Sequence, residues 1–300
     1  MEIGFVGLGK MGGNMVERLV RGGEHTVVGY DQAVAAAQQY AGPSVRVAGS
    51  LVEMVQMLRP PRAVWLMVPA GDPVDETIAV LAPAMQPGDI IIDGGNSFFR
   101  DSQRRAKNLK GKGIAFVDAG TSGGIWGLSV GYCLMVGCDR TTYDYLKPIF
   151  ATLAPEQGEA YMGPSGAGHF VKMVHNGIEY GLMQAYAEGF AVLKKSEFNL
   201  ELASIGEVWK HGSVVRSWLL ELATDALQKA PNLEGIKGYV VDSGEGRWTV
   251  QAGMDEDVPT PVIALSLMAR FQSRDPDSFQ NKLLAALRNE FGGHAIEHED

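Results

Sequence analysis

Gly7-Leu-Gly9-Lys-Met-Gly12 lies between an apolar run, Ile3-Gly-Phe-Val6, and a stretch of helical periodicity, Lys10–Arg21. A strand, three spaced glycines and a helix, in that order, leave few folds open. One glycine turns the chain tightly, the second lets a pyrophosphate approach the backbone, and the third lets helix and strand pack closely. The unpaired N–H groups of the first helical turn then point at phosphate. A second apolar run ends in Tyr30-Asp31, 19 residues after Gly12, where a carboxylate can accept hydrogen bonds from both ribose hydroxyls. Gly7, Leu8, Gly9, Lys10, Met11, Gly12 and Asp31 are therefore candidate dinucleotide contacts. Asp31 would also repel a 2′-phosphate, and Gln32-Ala33 bring no arginine to offset that repulsion. NAD is expected over NADP.

The rest of the first half keeps the same rhythm. Strands are expected at 3–6, 26–30, 45–47, 63–68, 90–93, 114–118 and 132–136, most without polar alternation, as in a parallel sheet buried on both faces. Helices are expected between them, among them 10–21, 34–40, 51–58, 74–85 and 102–109. The fold class that follows is α/β, a doubly wound, mostly parallel sheet over residues 1–163. Val68, Pro69, Ala70 and Asn96 follow later strands at the carboxyl edge, where the nicotinamide half of a dinucleotide belongs. After Gly163-Pro-Ser-Gly-Ala-Gly168 the strand signals almost vanish. A helix of about 30 residues from near His169, then further helices including 261–273 and 278–291, predict an all-α domain over 164–300.

Three hundred residues exceed what one core organises, which agrees with two domains. Lysine plus arginine number 26 against 35 acidic residues, a net charge of −9, which argues against a dominant nucleic-acid or anionic-membrane partner. No apolar run reaches the length of a membrane span, and the chain opens on a core strand rather than a secretory signal. Cys133 and Cys138 lie in an apolar run. They read as buried thiols in a reducing compartment, so a cytoplasmic protein is expected.

Lys172, His175, Asn176 and Glu179 fall at i, i+3, i+4 and i+7 of the long helix, within an arc of roughly 100°. Val171, Val174, Ile178 and Leu182 form a separate apolar stripe, expected to hold the helix in the core. From Phe170 to Leu193 the only charged side chains are Lys172, Glu179 and Glu188. A helix that apolar is expected to be largely buried, and polar groups on a buried face need partners. A desolvated lysine can act as a base near neutral pH, and a partly buried glutamate as an acid.

These motifs resemble the 6-phosphogluconate dehydrogenases (decarboxylating), in particular their shorter, NAD-linked bacterial branch. The likeness runs through Gly7–Gly12, Asp93-Gly-Gly-Asn-Ser97, Gly120-Thr-Ser-Gly-Gly124, the lysine helix, Gly244-Glu-Gly-Arg-Trp-Thr249 and Arg288-Asn-Glu-Phe-Gly-Gly-His294. It implies that Lys172 is the general base and Glu179 the acid that protonates the enediol. It implies that Ser122, Gly123 and Gly124 grip the substrate carboxylate, while Asn96, His175 and Asn176 orient hydroxyls and nicotinamide. Tyr180, Arg247, Thr249 and Arg288 would hold the phosphate of a small phosphorylated sugar acid. In the family Arg288 and His294 come from the partner subunit, which implies a homodimer or homotetramer. Longer members carry lysine where this chain has Arg247, and a further phosphate-binding arginine for which the motifs show no match.

The other residues read more plainly. His25, His169, His211 and His298 lack metal-ligand spacing and are expected on the surface or in loops, and Asp255-Glu-Asp257 as a solvated loop, so no metal is expected. Arg270 and Arg274 are explained by charge–dipole placement at a helix end, with a role in a subunit contact as the alternative. Two rival functions stand beside the leading one. A β-hydroxyacid dehydrogenase acting on a small unphosphorylated substrate would keep the lysine without needing Arg247, Thr249 and Arg288 together. A non-catalytic dinucleotide sensor would be expected to have lost the lysine or the glutamate.

Overall fold

The computed structural model describes residues 1–22 and 25–297. His298 lies outside the described residues. The chain divides into two compact units, the first Met1–His175 and the second from Asn176 onward.

In the first unit the strands are β1 (Glu2–Val6), β2 (Thr26–Tyr30), β3 (Val45–Val47), β4 (Ala63–Leu66), β5 (Ile90–Asp93), β6 (Ala115–Ser122), β7 (Cys133–Gly137) and β8 (Glu159–Gly163). They form one sheet in the order β3-β2-β1-β4-β5-β6-β7-β8. Neighbours from β3 to β6 run parallel, β7 is antiparallel to β6, and β8 is parallel to β7. The strand order reverses between β1 and β4, which opens a crevice at the carboxyl edge of the sheet. Register brings Val6 level with Tyr30 and Leu66, Leu66 level with Asp93, and Asp93 level with Asp118. The residues that follow these strand ends therefore converge on one edge.

Apolar residues on both pleat faces explain why this sheet is covered twice. Ile3, Phe5, Trp65, Ile92 and Val117 face a core shared with Met15 and Leu19 of α1 (Lys10–Arg21) and Leu146, Ile149 and Phe150 of α7 (Arg140–Leu153). Val6, Val28, Val64, Leu66 and Ile91 face the opposite core, with Met54 and Val55 of α3 (Leu51–Met57) and Val74 and Leu81 of α4 (Asp72–Leu81). Each fully buried Leu, Ile or Phe contributes about 1.5–3 kcal/mol. The remaining helices of this unit are α2 (Val34–Gln38), α5 (Phe99–Lys110) and α6 (Gly127–Val130).

Helix α8 (Ala167–Lys195) is 29 residues long; it starts in the first unit and continues into the second. The second unit contains α9 (Leu202–Lys210), α10 (Trp218–Lys229), α11 (Glu245–Asp255), α12 (Pro261–Gln272) and α13 (Phe279–Gly292). Phe190, Leu202, Leu220 and Leu227 form its buried core. Gly206 lets α9 and α10 close, since a Cβ there would stand 2.4 Å from Thr224 Oγ1. Ser217 caps α10 by accepting from Leu220 N–H at 3.1 Å.

Three expectations are overturned here. The apolar stripe of α8 does not anchor it: Val171, Ile178 and Leu182 are exposed and Val174 is half-buried, whereas Lys172, Met173, Asn176 and Tyr180 are buried. Small residues decide which side is covered. Gly120 leaves room for the Lys172 side chain, and Gly177 for Thr249, at positions where a Cβ would come within 2.4 and 2.5 Å. His169, in α8, is buried rather than superficial; His25 does lie in a loop, before β2, but is buried too, its Nε2 2.8 Å from Thr152 Oγ1. Of the two free thiols, Cys138 is buried but Cys133, at the start of β7, is exposed.

Candidate active site

At the edge of the first unit the three glycines of the opening motif do three different things. Gly7 takes φ +87°, and a Cβ on it would meet Met67 O at 2.4 Å. A Cβ on Gly12 would lie 1.9 Å from Gly7 O, so helix and turn close only without one. Gly9 has nothing within 4 Å of its would-be Cβ. It stands at the amino end of α1, where no side chain caps the helix, and the free N–H groups can meet an anion. Leu8 is fully buried, Met11 is half-buried and Lys10 is exposed. Asp31 accepts from Leu8 N–H at 2.7 Å through Oδ2 and from Ala33 N–H at 2.8 Å through Oδ1. Two main-chain donors thus orient the carboxylate at the end of β2. An uncapped helix, an open glycine and an oriented acid fit a dinucleotide.

The neighbouring turns are braced from beneath. After β4, Val68 is half-buried, Pro69 and Ala70 are exposed, and Gly71 begins α4 with φ +89°. Arg105, with a side chain 1% exposed, donates to Gly71 O at 3.0 Å, to Asp75 at 2.9 and 3.1 Å, and to Asp93 Oδ2 at 3.3 Å. The Arg105 guanidinium, helped by Arg104 and opposed by burial, holds the Asp75 carboxyl at about 2. Asp93 also accepts from Ser97 Oγ at 2.7 Å and from Gly95 N–H at 3.2 Å. Asn96 sits in this turn, and its Oδ1 is buried with no hydrogen-bond partner among the described residues. Such an acceptor costs about 1–3 kcal/mol until a donor reaches it.

Strand β6 runs further than expected and carries Ser122 to its end. Gly123 (φ +123°) and Gly124 (φ +51°) follow, a pair of positive-φ residues that a side chain would strain. Lys172 is 4% exposed and packs over Gly120 of the same strand. Its Nζ lies 3.5 Å from His175 Nδ1. The base candidate and the Ser122–Gly124 turn are thereby brought to one strand. Glu179, half-buried, is seven residues further along α8, about 10.5 Å along its axis.

The second unit holds a polar cluster around Tyr180. The Tyr180 hydroxyl accepts from Ser243 N–H at 3.0 Å and lies 3.3 Å from Ser243 Oγ. Ser243 Oγ donates to Glu245, which also accepts from Asn176 Nδ2 at 3.2 Å. The Arg270 guanidinium lies 3.5 Å over the Tyr180 ring, and its Nη1 donates to Val241 O at 3.0 Å. Arg247 is placed differently: Asp242 binds it at 2.8 and 3.1 Å, and it lies over Phe271 at 4.4 Å. Arg274 shares Asp242 Oδ2 with Arg247, at 3.0 Å. Arg247 chiefly, and then Arg274, hold the Asp242 carboxyl below its usual range. Thr249 is buried against Gly177 and donates to Glu245 O at 2.8 Å. Arg288, on α13, and His294, beyond it, are exposed. Sequence reasoning missed Arg270, Ser243 and Glu245 as neighbours of Tyr180, because contacts between residues some 60 to 90 apart leave no local pattern.

Comparison with known proteins decides what these parts belong to. Residues 2–163 match the family model of the NAD binding domain of 6-phosphogluconate dehydrogenase, and residues 168–281 match that of its C-terminal domain. The chain belongs to the 6-phosphogluconate dehydrogenase family. A Bacillus subtilis protein provisionally named a 6-phosphogluconate dehydrogenase is 46% identical over 99% of each chain. The NAD(+)-dependent, decarboxylating 6-phosphogluconate dehydrogenase of Haloferax volcanii is 42% identical over the whole of both. Among solved structures, Plasmodium falciparum 6-phosphogluconate dehydrogenase, studied with NADP+ and with 6-phosphogluconate, superposes with a TM-score of 0.84 at 29% identity. That likeness covers 100% of this chain and 67% of the Plasmodium chain. The family's dinucleotide-binding sheet and helical C-terminal part are both present in this chain.

Proposed function

We propose that this chain catalyses the oxidative decarboxylation of 6-phosphogluconate to ribulose 5-phosphate and carbon dioxide, with NAD as acceptor, in the cytoplasm. Residues 1–163 would carry the coenzyme, and residues 164–300 the substrate and the subunit contact. The observation that carries the reading is the buried Lys172, packed on the strand that ends in Ser122-Gly-Gly and sharing its helix with Glu179. NAD, when bound, supplies the hydride acceptor. Gly7–Gly12 and Asp31 would hold its phosphates and ribose, with Val68, Pro69, Ala70 and Asn96 beside the nicotinamide.

Lys172 as the free amine takes the C3 hydroxyl proton while the C3 hydrogen leaves as hydride. The resulting β-keto acid loses carbon dioxide: the C1–C2 bond breaks, and its electron pair moves toward the C3 carbonyl. The Lys172 ammonium stabilises the oxygen that receives that charge and returns the proton to it. Glu179 then protonates the enediol carbon from which the carboxylate left, while Lys172, again neutral, takes the C3 hydroxyl proton, giving the ketose. His175, beside Lys172 Nζ, would orient the substrate together with Asn176 and Asn96, and Ser122–Gly124 would grip the carboxylate. The phosphate would be held by Tyr180, Arg288 and Arg270, the last in the role for which the motifs show no arginine. Arg247 and Thr249 would support that pocket from their places beside Asp242 and Glu245.

The acid at position 31 favours NAD, in keeping with the coenzyme named for the Haloferax relative. A homodimer or homotetramer is supported by α13, where no residue is buried although Phe279, Leu283, Leu284, Leu287 and Phe291 are all large and apolar. Arg288 and His294 would complete the neighbouring subunit's site.

The test is to supply 6-phosphogluconate with NAD or NADP and follow both reduced coenzyme and carbon dioxide. Stoichiometric release of the two supports the reading. Equal turnover of gluconate would remove the phosphate argument, and no turnover of any hydroxyacid would favour a sensor. For the shared site, mixing Lys172→Met with Arg288→Ala subunits should restore activity that neither variant has alone.

A further inference from the structure

His169 is 1% exposed, and its ring joins segments that lie far apart in sequence. The carbonyl of Gly95 can only accept, so His169 Nε2 carries a hydrogen and donates it across 3.0 Å. On the other side of the ring, Nδ1 lies 2.7 Å from the hydroxyl of Ser102, a fully buried residue of α5. The backbone N–H of His169 donates to Asp118 of β6 at 2.9 Å, and the other oxygen of that carboxylate accepts from Gly166 N–H at 2.6 Å. One residue therefore ties the first turn of α8 to β6, to α5 and to the turn that follows β5.

That turn contains Asn96, whose Oδ1 is a buried acceptor without a partner among the described residues. Three residues beyond His169, on the next turn of the same helix, comes Lys172. The far side of the turn is secured separately, by Asp93 with Ser97 and Arg105. The His169 ring is a direct contact that sets Gly95 and Asn96 against the lysine's helix.

We propose that His169 is a positioning residue. By holding the Gly95 carbonyl, it fixes the Asn96 acceptor in place relative to Lys172. It acts through Gly95 rather than on the reacting atoms. Only the kinetic part of its test rests on the dehydrogenase reading above.

His169→Ala, His169→Gln and Ser102→Ala in the full chain test this role. Loss of the ring should lower kcat about 10- to 100-fold, the effect of misplacing a reacting group by an ångström. The primary isotope effect with 3-deuterated 6-phosphogluconate should rise, because hydride transfer becomes slower relative to release. Glutamine can still donate to Gly95 and should recover most of the rate, while Ser102→Ala should fall between wild type and alanine. Hydrogen exchange should quicken at amides 94–97 in His169→Ala and remain slow in β1 and β2. Unchanged kcat with unchanged exchange at 94–97 would overturn the proposal. So would a loss that glutamine fails to rescue, accompanied by faster exchange across the whole sheet. If the wild-type protein fails to oxidise 6-phosphogluconate, the proposed activity falls, and exchange at 94–97 alone decides whether His169 holds the turn.

Discussion

Replacing Asp31 by serine should change the coenzyme preference by an amount that the structure allows one to estimate. The carboxylate is oriented by two main-chain donors, at 2.7 Å from Leu8 and 2.8 Å from Ala33. A 2′-phosphate would add negative charge about 4 Å from it, which costs roughly 4 kcal/mol per unit charge at an effective dielectric of 20. Asp31 is only half-buried, so halving that figure for solvent screening is reasonable, leaving about 2 kcal/mol, or roughly 30-fold. The same substitution removes charged hydrogen bonds to the ribose hydroxyls of NAD, worth about 1.5–3 kcal/mol, or roughly 10- to 100-fold. Together these terms predict a shift of about three orders of magnitude in the ratio of kcat/KM for NAD to that for NADP. Initial rates with each coenzyme measure it, with thermal unfolding as a control for the lost main-chain contacts. A well-folded Asp31→Ser protein whose ratio moves less than about tenfold would refute the electrostatic account.

Lys172→Met should slow hydride transfer by about 10²- to 10⁴-fold while NAD binding, read by titration, persists; near-normal rates would remove lysine as the base. Arg270→Met should raise KM for 6-phosphogluconate about 10- to 100-fold and Arg247→Met clearly less, because Asp242 already holds Arg247; the reverse order in steady-state kinetics would contradict the placement over Tyr180. Asp75 titrates at about 2 in the folded chain against 3.8 unperturbed, so its stabilising contribution is complete above 3.8 and is lost as pH falls toward 2. Its side chain is 36% exposed, which limits that contribution to about 1 kcal/mol. Asp75→Asn should therefore be less stable than wild type in urea above pH 3.8, with the gap closing toward pH 2; parallel curves would show that the ion pair does not set the slope.

The dinucleotide-binding sheet could be read from the sequence because its signals are local. Three glycines, an apolar run and a terminal acid all lie within about thirty residues, and six of the strands repeat one pattern. Strand β8, Glu159-Ala-Tyr-Met-Gly163, escaped because it is short and half-buried, with polar residues in an edge position. Helix α7 was not anticipated either; Pro148 interrupts its pattern, although Tyr143, Leu146, Ile149, Phe150 and Leu153 bury one face. The polar stripe on α8 was legible in its spacing, but the side of the helix that is covered was not. Burial there follows Gly120 and Gly177, whose lack of a side chain matters only once a distant element arrives. The same limit hid His169. Its partners Gly95 and Ser102 are 74 and 67 residues away, and an isolated histidine has no periodicity to betray it. Arg270 at the Tyr180 ring is a third case, since its position near a helix end has a sufficient local explanation that says nothing of its neighbour.

Compact units usually meet at an exposed linker, but here the division between His175 and Asn176 falls inside an unbroken helix. Lys172 counts with the first unit and Glu179 with the second, yet continuous backbone hydrogen bonding sets their spacing. Neither half can be exchanged as a cassette, because a cut at the boundary severs the rod that bears both the candidate base and the candidate acid. Recombination that respects this architecture must swap loops or distal turns, which leaves the spacing of Lys172 and Glu179 along the helix unchanged.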